Sequence, residues 1–410
     1  MPFIEPFRGV RYSRSEERFL SRVITPPYDV ISPEGQRCYY RSHPFNFVRV
    51  VFGMESSKDD DRNNRYVRAG RTLRRWMEKG VLRADPEPSL YPYVQEYRML
   101  GRRIRRWGVV ALVRLDSPRI YPHEETREGP KEDRLRLLEA VRASLSPIFG
   151  LIPDESGSFR RWIGRAARGR PVAQAGLEGV RHRLWRVSDP RRIRALQALL
   201  RKRELVIADG HHRFEAAKAF WLKRRRRGGG AAPERFAMFF LASVSKEEPG
   251  LLPTHRVLRN VPPGKLQRFH EMLLRNGKGR RTGTLREAES FLLELRRRGR
   301  MGIGFYAGNG EGMVLEGQAR TPGRLDVEWL HEELLPRWFG EGLEIRYTQD
   351  AREGAGWVRR GRAGALFLMQ PPRLREVVHR ARRNQRLPGK TTYFYPKPVA
   401  GLVEYLFEPR

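Results

Sequence analysis

Apolar and polar positions along the chain follow two periods, one close to 3.6 residues and one of two residues, and together they predict a mixed α/β fold. Near the N-terminus, Pro26 and Pro27 in VITPPYDVIS exclude helix and set an extended path. The β-branched and aromatic run over residues 45–53 predicts a strand. Tyr66, Leu73, Trp76 and Met77 then recur at helical spacing. LYPYVQEYRM and RRWGVVALVRLD predict two strands joined at Gly101, and Leu135, Leu138 and Val141 mark a helix over 131–142. SFRRWIGRAARG and PRRIRALQALLRKR predict two further helices. The apolar run 204–208 predicts a short strand, followed by the turn DGHHR and a helix that Gly228, Gly229 and Gly230 end. RFAMFFLASVS reads as a strand buried on both faces. In the C-terminal third, LREAESFLLELRRRG and DVEWLHEELLPRWFG predict helices, and MGIGFYAG, GMVLEGQ, EIRYTQ and GALFLMQ predict strands. The NVPPG segment at Asn260 suggests a boundary between a core over 1–260 and a C-terminal α/β region over 261–410.

Composition narrows the class. The chain of 410 residues is 39% hydrophobic, enough for a sizeable core despite 31% charged residues. The single cysteine, Cys38, excludes a disulfide scaffold and a cysteine-rich zinc module, and fits a reducing cytosol. No apolar run is long enough to span a membrane and no signal peptide is read at the N-terminus, so a cytoplasmic protein without a membrane partner is expected. The formal net charge is +35, and 82 residues are Lys or Arg, of which 11 are Lys. Arginine is spread over the whole chain and not gathered in one tail or stripe. The excess therefore reads as solvated faces, with specific nucleic-acid binding kept as the alternative.

Candidate chemistry concentrates in three segments. The sharpest is ELVIADGHHRFEAAKAF, where an apolar strand runs into Asp209, Gly210, His211, His212 and Arg213 before a helix. This arrangement aims the free N–H groups of a helix N-terminus beyond the strand end. Gly210 permits a tight turn, Arg213 offers a forked cation to phosphate oxygens, and Asp209 is a candidate metal ligand or proton acceptor. The second segment, YPHEETREGPKEDRLRLL, places His123 beside Glu124, with Lys131 near; a carboxylate next to a histidine suits a base or a metal ligand. The third, LPGKTTYFYPKP, carries Lys390, Thr391 and Lys397 among aromatics. Tyr28 and Asp29 after the Pro-Pro turn, and His255 and Arg256 in LLPTHRVL, are further candidates to line a site.

Several familiar signatures are excluded. Arg127 stands where an HExxH zinc motif needs histidine, and Asn384 stands where a P-loop ending in GKT needs glycine. The glycines over 302–308 do not fit a dinucleotide fingerprint and lie in a strand. No segment reads as a convincing helix-turn-helix.

In order, PPYDVIS, HEETREGPKEDRL, IADGHHRFEAA, LPTHRVL and GKTTYFYPKPVAGL resemble the signature blocks of the domain of unknown function 1015 family, spread over almost the whole chain. The turn DGHHR also resembles the phosphate-binding turn of ParB/sulfiredoxin-like proteins, among them free-serine kinases that convert L-serine to O-phosphoserine. Two positions depart from the pattern: GKTT stands where the family more often has PPKST, and Phe214 replaces a tyrosine. The resemblance implies a ParB/sulfiredoxin-like mixed-sheet core, ATP or ADP as phosphate donor, a magnesium ion at Asp209 or Glu124, and a carboxylate base. It would make Glu124, Asp209 and His211 catalytic. Gly210, His212, Arg213, Lys131, Lys390, Thr391 and Lys397 would hold phosphate or nucleotide, and Tyr28, Asp29, His123, His255 and Arg256 the substrate. The alternatives are a nucleotide-dependent DNA-binding protein of ParB type and a noncatalytic phosphometabolite sensor, and the oligomeric state stays open.

Overall fold

A computed structural model of the chain describes residues 3–99, 101–225, 233–245, 251–275, 279–308, 312–319, 324–383 and 385–407. The glycines at 228–230 lie outside these residues. The chain forms two compact units. The first comprises Met1–Pro122, Thr126–Pro249 and Pro396–Arg410; the second comprises His123–Glu125 and Gly250–Tyr395. Both are mixed α/β.

The first unit is built on a nine-stranded mixed sheet among the described residues. Its principal elements are helix α1 (Arg65–Glu78), strands β1 (Tyr91–Met99) and β2 (Arg102–Arg114), helix α2 (Glu128–Val141), strands β3 (Ile148–Pro153) and β4 (Leu205–Asp209), helix α3 (His211–Arg225) and strand β5 (Phe236–Val244). β1 and β2 pair as the expected hairpin, with Gly101 in the left-handed region at φ 76°. β4 lies between the parallel strand Ile120–Tyr121 and the antiparallel β3, which runs parallel to β5. A register shift between Ile207 and Asp209 bends the end of β4, and such bulges re-aim the side chain that follows. β5 is buried along almost its whole length, as the continuous apolar run requires. The core gathers Val109, Ala111, Ile148, Ile152, Leu205, Ile207, Phe214, Phe239 and Leu241 around this sheet. Gly150 on β3 lets Leu205 pack closely, because a Cβ there would stand 2.3 Å from Leu205 Cδ1 and force that side chain to shift.

Two local expectations differ from the structure. The run over 45–53 forms a short helix, Val48–Val51, and not a strand. Asn46 decides it: its Oδ1 accepts the Val48 N–H at 2.9 Å, while its Nδ2 donates to the Arg22 carbonyl at 2.7 Å. Phe47, Val48, Val50 and Val51 are all buried, so tertiary packing overrides β propensity. After Pro27 the chain closes into a 3-10 turn over Tyr28–Val30, which turns Asp29 off the extended path.

The second unit holds a six-stranded antiparallel sheet among the described residues, with Gly279–Thr282 at one edge. Its elements are β6 (His255–Arg259), α4 (Pro263–Arg275), α5 (Leu285–Arg297), β7 (Arg300–Ala307), β8 (Gly312–Ala319), β9 (Glu344–Thr348), α6 (Ala351–Arg359) and β10 (Ala365–Leu368). Alternation along the strands feeds two cores. Ile303, Phe305 and Phe367 pack with Phe269 of α4, whereas Tyr306, Leu366 and Leu368 pack with Leu292 of α5 and Ala355 of α6. Among the described residues no helix is long and apolar enough to cross a membrane.

Candidate functional site

The strand-to-helix turn at Asp209 forms as the sequence predicts: β4 ends at Asp209 and α3 begins at His211. Gly210 between them has φ 90°, and a Cβ on it would lie 3.0 Å from the guanidinium of Arg213, which folds back over the turn. Only glycine meets both demands without strain. The Phe214 N–H bonds back to the Gly210 carbonyl at 2.9 Å, so the N–H groups of the preceding residues are those of a helix N-terminus.

Around this turn four charged side chains from distant parts of the first unit form an alternating row. Asp209 receives Arg213 Nη2 on Oδ2 at 2.5 Å and Lys397 Nζ on Oδ1 at 2.6 Å. The same Nζ also donates to Asp29 Oδ2. The Lys397 side chain is 7% exposed. Burial alone would lower its pKa, but Asp209 and Asp29 outweigh burial and hold the ammonium above its ordinary value. Arg213 is further committed to the Pro147 carbonyl at 2.7 Å. Tyr28 lies under the Arg134 guanidinium, 3.7 Å from ring centroid to Cζ, and burial pushes its hydroxyl up to about 12.

Not every candidate of this unit joins the row. His212 Nε2 accepts the Arg127 N–H at 3.1 Å, His211 is buried, and Lys131 pairs at 3.2 Å with Glu128 on its own helix. Two residues that sequence reasoning passed over hold Lys397 in place. Arg106 Nη1 donates to the Pro396 carbonyl at 2.7 Å and Gln95 Nε2 to the Lys397 carbonyl at 3.0 Å. They face each other across the β1–β2 ladder, and Arg106 is hidden in the sequence by the arginine-rich run around it.

The remaining candidates cluster in the second unit. Glu124 Oε1 accepts the Thr391 N–H at 3.1 Å, and His123 Nε2 lies 2.9 Å from Thr392 Oγ1. Arg256 Nη2 donates to the carbonyl of Lys390 at 3.1 Å, and Lys390 sits in the left-handed region at φ 61°. His255 Nδ1 accepts the Met369 N–H at 3.1 Å, and burial lowers its pKa to about 4.

The magnesium ion implied by the resemblance does not fit Asp209 as placed. An ammonium and a guanidinium already occupy its two oxygens, and a divalent cation beside them would meet like charge at contact distance. Among the described residues no group of three or more His, Cys, Asp or Glu side chains could hold a metal ion.

Residues 4–328 match the family described as "Protein of unknown function (DUF1015)". The chain belongs to this family. No curated protein matches the sequence. Among solved structures, a conserved hypothetical protein from Pyrococcus furiosus is 14% identical at a TM-score of 0.35, covering 71% of this chain and 94% of that one. A structure titled "Free serine kinase in complex with AMP" is 15% identical at a TM-score of 0.36, covering 71% and 92%. SbnI with C-terminal truncation from Staphylococcus aureus is 13% identical at a TM-score of 0.36, covering 71% and 87%. Overlaps this loose assign no ligand or activity to the DUF1015 chain.

Proposed function

We propose that the protein is a phosphotransferase that moves a phosphoryl group from a nucleotide, ATP or ADP, to the hydroxyl of a small free amino acid, with L-serine to O-phosphoserine the first reaction to test. The observation that carries this reading is the turn itself: a helix N-terminus at the end of a strand, with one carboxylate bracketed by Lys397 and Arg213. Phosphoryl transfer asks for positioning and neutralisation of charge more than for covalent chemistry. Helix N–H groups and two fixed cations supply both to phosphate oxygens. Asp29 and Asp209 stand on either side of the ammonium, and a carboxylate so placed takes the proton as the substrate oxygen attacks the terminal phosphorus and the bond to the nucleotide breaks. Lys397 is then the group that follows the charge as it passes to the transferred phosphoryl oxygens. This reading uses residues of the first unit alone and routes no step through a metal.

The deciding experiment incubates the protein with L-serine, ATP or ADP and magnesium, the salt form of the nucleotide, and looks for O-phosphoserine by mass spectrometry. Product that disappears in Asp209→Asn supports the reading. Nucleotide binding without product points to a sensor, and neither binding nor product removes the reading.

A further inference from the structure

We infer that Lys397 is the resident cation of the Asp29–Asp209 pair, standing where a divalent metal would otherwise neutralise two carboxylates, so that the protein builds no metal site at this turn. Asp29 comes from the 3-10 turn after Pro27 and Asp209 from the end of β4, and the fold brings both to one nitrogen atom. Two carboxylates converging on one point repel unless a cation lies between them, and an oxygen-ligated divalent ion is the usual solution. Here the chain supplies the cation itself. The ammonium is nearly sealed from solvent, and Gln95 and Arg106 fix the backbone that carries it. Arg213 takes the second oxygen of Asp209, so two negative and two positive groups balance within the row. A bound Mg²⁺ would add two charges beside an ammonium and a guanidinium and would have to displace a buried side chain. The inference concerns how these carboxylates are neutralised, and it stands or falls separately from the phosphotransferase reading.

The test is a titration of the full chain, without nucleotide, with Mn²⁺ followed by electron paramagnetic resonance and with Mg²⁺ followed by calorimetry. The wild type is expected to show no saturable site. Lys397→Met leaves Asp29 and Asp209 facing each other without their cation and is expected to bind Mn²⁺ about tenfold or more tightly than the wild type. Circular dichroism establishes that the variant is folded. A saturable Mn²⁺ site in the wild type that is lost in Asp209→Asn overturns the inference, and so does a folded Lys397→Met that binds no better than the wild type. Should Lys397→Met not fold, the wild-type titration decides alone: a site lost in Asp209→Asn overturns the inference, and absence of a saturable site supports it.

Discussion

Lys397 in the first unit and Arg256 in the second are both buried cations, and their surroundings are opposite. Lys397 touches two carboxylates, whereas Arg256, 1% exposed, has no carboxylate within ion-pair distance among the described residues. The Arg256 guanidinium donates to the Thr254 and Lys390 carbonyls and, at 3.2 Å, to His331 Nε2, with the Tyr347 ring 5.5 Å away. The pKa values move accordingly. Two anions hold Lys397 above its ordinary range, while desolvation lowers Arg256 to about 10. A compact ammonium concentrates its charge and needs full counter-charges when buried; a delocalised guanidinium can be held by carbonyl dipoles. Lys397 therefore belongs to an electrostatic row of alternating charges. Arg256 is a cross-link that ties the backbone at residues 254 and 390 to the helix carrying His331.

The two cations are expected to respond unequally to removal. Lys397→Met leaves Asp29 without its ammonium and Asp209 with Arg213 alone, and the cost should approach but not exceed the ~3–5 kcal/mol of breaking a fully buried pair. Urea unfolding at neutral pH measures it. Because the folded pKa of Lys397 is raised, the stability it contributes is complete below its unfolded value of 10.5 and is lost only as pH rises through the folded pKa. The deficit of the variant should thus stay constant from pH 6 to pH 9. Arg256→Met removes a cation with no carboxylate within ion-pair distance among the described residues, on which Glu124 acts only at longer range, so its loss of bonds to two carbonyls and an imidazole is expected to be the smaller of the two. Equal losses in the two variants would erase the contrast.

Gly210→Ala sharpens the comparison from the backbone side. It forces a side chain into φ 90° and against the Arg213 guanidinium, at a cost of about 1–2 kcal/mol. If Arg213 matters because it brackets Asp209, the substitution should reduce nucleotide binding or turnover by more than its effect on stability explains. Activity that is unchanged in a destabilised variant would place Arg213 outside the site.

The turn was legible in the sequence for the reason it works: an apolar strand, a glycine and a helix-forming run leave little choice of local geometry. The hairpin at Gly101 and the helix over 131–142 were legible in the same way, because one period dominates each segment. The partners of Asp209 were named as candidates, but not as partners. Nothing local in PKP, PPYDV or IADGHH states that Asp29 and Asp209 meet one ammonium, since that follows from tertiary placement alone. Gln95 and Arg106 left even less trace, one in an apolar strand and the other among arginines. The short helix at Val48–Val51 departs from its β-branched composition, which speaks for a strand, because burial and the Asn46 side chain that accepts the Val48 N–H favour a turn.

The smallest expected effect comes from Glu404, the acidic counterpart of Arg256 within the first unit. It is 1% exposed; one oxygen accepts the Gly401 N–H at 2.7 Å and the other has no hydrogen-bond partner among the described residues. Unlike Asp29 and Asp209, it faces no cation among the described residues, and burial raises its pKa well above the carboxylate range. The folded chain therefore keeps this carboxyl protonated at a pH where the unfolded chain ionises it. A raised folded pKa favours the fold below the unfolded value of 4.5, and that advantage is lost as pH rises through the folded value. Glu404→Gln retains the acceptor for Gly401 and removes the ionisation. It should melt at a higher temperature than the wild type near pH 7.5, and the two should converge near pH 4. A variant less stable than the wild type at pH 7.5 would mean that Glu404 is charged in the fold and neutralised as Asp209 is, and the contrast between paired and unpaired buried charges would then fail inside one unit.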